Sequence, residues 1–136
     1  MTLSPTSELT WLTYTLLLTA LLWVPYIVQL IVQLGPVRAI WDPTGAHPHD
    51  ADWAIRAKRA HYNAVENLVV FAPLVLLVSG LGLNDGVTTT ACMVYFFARA
   101  AHYIIYVMAL PVIRTIAFLI GAGCQITLAA RVLGWL

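Results

Sequence analysis

An all-α bundle of four membrane-crossing helices is the fold class this sequence predicts, and three observations predict it. Of the 136 residues, 61% are hydrophobic and only 10% charged, and the mean hydropathy is +0.84. Soluble globular chains do not reach that composition. Apolar runs long enough to cross a bilayer, about 20 residues each, recur four times. Connectors bearing proline or glycine separate them, so each run has its own start and stop. The net charge of +1 gives no electrostatic pull toward nucleic acid, and no nucleic-acid partner is expected.

The first span covers residues 9–34 and carries no charge, with Gln29 and Gln33 as its strongly polar side chains. It is too long for a signal peptide, and it lacks a basic leader and a small-x-small cleavage site. It therefore reads as a retained helix. Pro25 should kink it and free the Leu21 carbonyl. Gly35-Pro36 ends it. Residues 37–52 then read as a polar loop containing Pro43, Gly45, Pro48 and the carboxylates Asp42, Asp50 and Asp52. His47 and His49 have no carboxylates arranged around them, so they read as solvated loop residues and no metal site is expected.

The second span covers residues 54–81, broken midway by Pro73, and residues 81–86 form a tight turn. The third covers 87–110 and the fourth 112–136, with Pro111 as a first-turn proline between them. Trp11 and Trp135 would mark one membrane interface, Trp41 and Trp53 the other. Cys92 and Cys124 lie in apolar runs without a second ligand at metal spacing, and read as small buried hydrophobes. Gly121, Ala122 and Gly123 suit close helix packing, and Arg131 would snorkel to the far interface, opposite the long loop. The whole of 1–136 reads as one membrane domain.

Topology follows from charge. Arg38, Arg56, Lys58, Arg59 and Arg114 lie at the long-loop side and only Arg131 at the other. The positive-inside rule places the 37–52 loop in the cytoplasm and both termini opposite.

Function follows from polar groups carried into the apolar runs. At about 100° per residue, Arg59, Asn63, Glu66 and Asn67 fall within one stripe of the second span. Tyr95, Arg99, His102 and Tyr106 form a second stripe on the third. Glu66 lies about 18 Å and Arg99 about 16 Å from the same membrane face, at 1.5 Å per residue, so the stripes match in depth. Both are expected to face the bundle interior. Arg59, Arg99 and Arg114 outnumber Glu66, so an anion should complete the site. Arginine forks suit carboxylates, and one Glu could hold both the arginines and a ligand ammonium. A small, multiply anionic ligand with an amine is implied.

The segments R-A-x-R-A-H-x-N-x-x-E-N (56–67), A-R-x-x-H-x-x-x-Y (98–106) and P-x-x-R-x-x-x-F-x-x-G (111–121) resemble those of the MAPEG family, the membrane-associated proteins in eicosanoid and glutathione metabolism. The resemblance implies a four-helix homotrimer binding glutathione between adjacent subunits on the cytoplasmic side. It also implies conjugation, peroxide reduction or isomerisation of lipophilic small-molecule substrates that arrive through membrane lipid. By position, Arg59, His61, Asn63, Glu66, Asn67, Arg99, His102 and Tyr106 would bind glutathione, and Arg114 would be catalytic at the thiol. The chain departs from the pattern where some members carry a helix-one arginine, having Gln29 and Gln33 there. Thr115 and Phe118 replace a serine and a tyrosine found in some members. The alternatives are a small four-helix transporter built on a lone Glu, and a lipid- or partner-binding protein without turnover.

Overall fold

The computed structural model describes residues 5–136, and all regular structure among them is helical. Among these residues are six helices, five of which make four candidate membrane spans. The first span is α1 (Ser7–Leu21) followed by α2 (Val24–Leu34). Pro25 does more than kink it: the helix stops, turns at Leu22 and Trp23, and restarts with Pro25 in its first turn. The Leu22 carbonyl at this break accepts a hydrogen bond from Tyr103 OH at 3.1 Å.

The connector is not wholly loop, because α3 (Pro36–Ile40) adds one helical turn after Gly35. Beyond it the chain is pinned by side chains. Asp42 accepts from the backbone N–H groups of Thr44 (3.3 Å) and His47 (3.1 Å). His49 Nδ1 donates to Gln29 Oε1 (2.6 Å), Gln29 Nε2 donates to Asp50 (2.7 Å), and Gln33 Nε2 to the Pro48 carbonyl (3.1 Å). His47 and His49 are therefore half-buried rather than solvated, and the two polar residues of span one latch the loop.

The second span is α4 (Asp52–Gly80), which runs through Pro73 unbroken. Proline is tolerated within a membrane span when its surroundings hold the helix together. Its packing face is a run of small residues, Ala54, Ala57, Ala60 and Ala64, each at most 5% exposed, followed by Phe71, Val75 and Val78. Small side chains let neighbouring backbones approach closely where dispersion contacts drive association.

A turn at residues 81–85 leads to α5 (Gly86–Val107), whose N-terminus carries a capping box the sequence reading missed. Asp85 accepts from the Val87 and Thr88 N–H groups, and the Thr88 hydroxyl accepts from the Asp85 N–H. Arg131 pairs with Asp85, which gives that arginine a partner as well as an interface. These contacts hold the Asp85 carboxyl below its usual range, the Thr88 N–H first among the causes. The last span is α6 (Pro111–Val132), begun by Pro111 as expected.

Two cores stack along the bundle. Leu12, Phe71, Val75, Cys92, Tyr95, Cys124 and Leu128 fill the half near the termini, with Phe71 stacked on Tyr95 at 3.6 Å. Tyr26, Ala54 and Ala57 fill the loop half. Both cysteines are buried and unpaired. Gly121 lies against the Arg99 stem and the Tyr95 ring, while Gly123 has open space beside it, so only the first serves close packing. Trp41, Trp53 and Trp135 are exposed, whereas Trp11 packs into an aromatic cluster with Tyr14, Phe96 and Phe97.

Candidate functional site

The inward stripe of α5 is the centre of the site. Tyr95, Arg99 and His102 are each at most 3% exposed. Arg99 Nη2 donates to Asn63 Oδ1 on α4 at 2.7 Å and approaches His102 Nδ1 at 3.4 Å. A guanidinium can only donate, so Nδ1 is the acceptor and the imidazole proton sits on Nε2. Asn63 is held in turn by Asn67, whose amide donates to the Asn63 carbonyl (2.9 Å), and Gln125 on α6 donates to the Asn67 carbonyl (3.1 Å). This chain of amides joins three helices behind Arg99. Gln125 was not anticipated, and a lone glutamine in an apolar run was the signal available.

Above Arg99, Asn63, His102, Tyr106, Arg114, Thr115 and Phe118 line a cavity of about 240 Å³. The Arg114 guanidinium lies 4.2 Å from the Tyr106 ring centroid, and the Tyr106 and His102 rings meet edge to face at 5.6 Å. Arg114 stands one turn inside the N-terminus of α6, where the helix dipole adds partial positive charge. Two arginines thus bracket the cavity, one buried behind its wall and one at its mouth. Among the described residues neither has a carboxylate partner. The arrangement suits an anion.

The remaining expected residues are placed differently. Arg59 and Glu66 are exposed and face away from the α4 core, with no hydrogen bond to Arg99, so Glu66 does not organise the arginines within one chain. The reason lies in the helix itself. The alanine face sits about 140° round α4 from Arg59, so packing that face inward turns Arg59 and Glu66 outward and leaves Asn63 and Asn67 on the flank. His61 points elsewhere again, bonded through Nδ1 to Tyr26 OH at 2.7 Å. Arg56 caps the end of α5, donating to the Val107 carbonyl at 2.9 Å.

A second buried polar cluster lies near the termini. Glu8, 1% exposed, accepts from the Thr88 hydroxyl at 2.6 Å and the Thr89 hydroxyl at 3.0 Å. It sits one residue before the apolar run. No group of His, Cys, Asp and Glu that could hold a metal occurs among the described residues.

Four apolar helices, three of which line a polar cavity that includes Arg114, define an integral membrane protein. The chain belongs to the MAPEG family, whose model matches residues 9–134. It is similar to microsomal glutathione S-transferase 1 of Bos taurus, 37% identical over 79 residues, 57% of this chain and 51% of that protein. The proteins of the same name from Rattus norvegicus and Homo sapiens are 35% and 33% identical over equal lengths. The chain spans about half the length of the curated relatives it matches. No solved structure matches it.

Proposed function

We propose that the protein is a glutathione-dependent membrane transferase or peroxidase that activates the glutathione thiol for attack on lipophilic electrophiles or hydroperoxides. The observation that carries the reading is the Arg99–Arg114 bracket around the 240 Å³ cavity, two cations with only neutral partners. Family membership and the transferase relatives agree with it. Arg99, behind the wall, would favour a glutathione carboxylate in the cavity by its charge and by holding Asn63 and His102 in place. Arg114 and the α6 N-terminus would stabilise the thiolate, the nucleophilic form. In conjugation the sulfur bonds to the electrophilic carbon, the leaving group departs with the electron pair, and the thiol proton goes to solvent.

The site is open in one chain, and Arg59 and Glu66 face outward beside it. A homotrimer would bring that face of one copy to the cavity of the next, where Glu66 can meet the glutathione ammonium. The long loop is assigned to the cytoplasm, where glutathione is abundant. The transporter reading needs a Glu lining an internal cavity, and Glu66 lies on the outer face.

Isothermal titration of the detergent-solubilised protein with glutathione, read alongside thiolate absorbance, tests the proposal. Arg114→Ala is expected to lower turnover far more than affinity, with partial rescue at higher pH. A thiol moved from about 8.5 to 6–7 gains roughly 3 kcal/mol of thiolate stabilisation. Loss of affinity with unchanged turnover and pH profile would make Arg114 a carboxylate clamp. Absence of both binding and thiolate signal in the native protein would end the enzyme reading.

A further inference from the structure

Gln125 is a polar residue of α6 that does not line the cavity. It lies about 21 Å, and Asn67 about 22 Å, along their helices from the loop side, at 1.5 Å per residue. The two therefore meet at one depth, well inside the spans. An amide without a partner is costly there, so the bond from Gln125 Nε2 to the Asn67 carbonyl (3.1 Å) is one the helices keep. It fixes the end of a longer chain. The Asn67 amide donates to the Asn63 carbonyl at 2.9 Å and approaches Asn63 Oδ1 at 3.4 Å. That Oδ1 also accepts from Arg99 Nη2 at 2.7 Å, and Nη2 meets His102 Nδ1 at 3.4 Å.

These contacts decide which atoms remain for a ligand. Asn63 and His102 line the cavity, and Arg99 does not. A guanidinium only donates, so it takes up the acceptor atom of each wall residue, Oδ1 of Asn63 and Nδ1 of His102. What is left on Asn63 is its Nδ2 protons, and on His102 its Nε2 proton. Both wall residues are thereby donors for a ligand. An Asn63 amide turned over, or the other imidazole tautomer, would offer a lone pair instead and repel a carboxylate.

We propose that Gln125 is a positioning residue for the cavity: by tying α6 to Asn67, it keeps Asn63 and His102 turned as hydrogen-bond donors toward a ligand carboxylate. Gln125 touches no ligand itself and acts through Asn67. The proposal rests on the glutathione reading only for the identity of that ligand. The orientation of the two wall residues belongs to the chain alone.

The test compares the full chain in mild detergent with Gln125→Met, which keeps the side-chain length and removes the donor. Nitrogen-15 NMR of the imidazole rings reads the His102 tautomer without any ligand, and titration with glutathione reads affinity. Wild type should show His102 protonated on Nε2 alone. Gln125→Met should show a mixture of tautomers and bind glutathione about fivefold more weakly, the size of one ordinary hydrogen bond. Its turnover at saturating glutathione should stay within about twofold, because Arg114 is untouched. Asn67→Ala should behave alike, and the double variant should lose no more than either single one, as links of one chain do. A residue that only packs α6 on α4 would lower the melting temperature and leave the His102 tautomer as it was. That result overturns the proposal, as does an additive loss in the double variant. Should Gln125→Met not fold, Gln125→Asn, which keeps the amide and shortens its reach, takes its place with the same outcomes. A native protein that binds no glutathione would end the glutathione reading, while the tautomer would still decide the role of Gln125.

Discussion

Arg99 carries a full charge into the bundle with an amide and an imidazole as its partners. A buried charge that loses its hydrogen-bond acceptor bears the desolvation cost uncompensated. Asn63→Leu is therefore expected to lower unfolding stability by about 2–3 kcal/mol, since bonds to charged groups are the stronger class. Thermal unfolding in detergent measures it, and a change within error would remove Asn63 as the support of Arg99. A second residue departs from ordinary backbone preference. Ala109, between α5 and α6, has φ 60°, and the bonds Ala109 N–H to Tyr106 and Leu110 N–H to Ile105 close a Schellman motif around it. Gly82 and Gly134 occupy the equivalent place after α4 and α6. An L-residue there costs about 1–2 kcal/mol, so Ala109→Gly should raise stability by about 1 kcal/mol. A lower melting temperature for that variant would contradict the strain.

Among the elements, the 41–51 connector is ordered by titratable groups outside the spans, Asp42 and His49. Hydrogen bonds from the His47 N–H and Thr44 hold the Asp42 carboxyl below its usual range. Burial, aided by Lys58, holds His49 below the ordinary 6.5. The signs agree. A depressed carboxyl contributes stability above its unfolded value and loses it as pH falls through the folded one. A depressed imidazole leaves the unfolded chain binding more protons below pH 6.5, which also weakens the folded form as pH falls. Amide hydrogen exchange at residues 42–50, corrected for its intrinsic pH dependence, should show protection falling from about pH 6.5 downward while α5 stays protected. Flat protection between pH 7 and 4 would show that the latch does not rest on these groups. Cutting the latch at Gln29 should loosen the same residues.

At the scale of the molecule, the outer surface bears on assembly. α6 exposes Val112, Ile116, Leu119 and Ile126, suited to lipid or to another copy, while α4 exposes Arg59 and Glu66, suited to neither lipid nor isolation. We expect a homotrimer by mass measurement in mild detergent, and a large loss of glutathione affinity in Glu66→Gln. A monodisperse monomer that binds glutathione, or a Glu66→Gln variant that binds it as tightly as wild type, would sink the shared site.

How much was legible beforehand follows from the same residues. Span number, a disturbance at Pro25, the start at Pro111 and the inward stripe of α5 could be read directly, because hydropathy, proline geometry and helical periodicity are local properties. The latch from Gln29 and Gln33, the burial of Glu8 and the placing of Gln125 behind Arg99 could not, since each joins residues on different elements. The sharpest division falls on α4. Its periodicity showed that Arg59, Asn63 and Glu66 share a stripe. Which stripe turns inward was decided by tertiary packing, where four alanines allow closer helix approach than charged side chains do and so claim the interior.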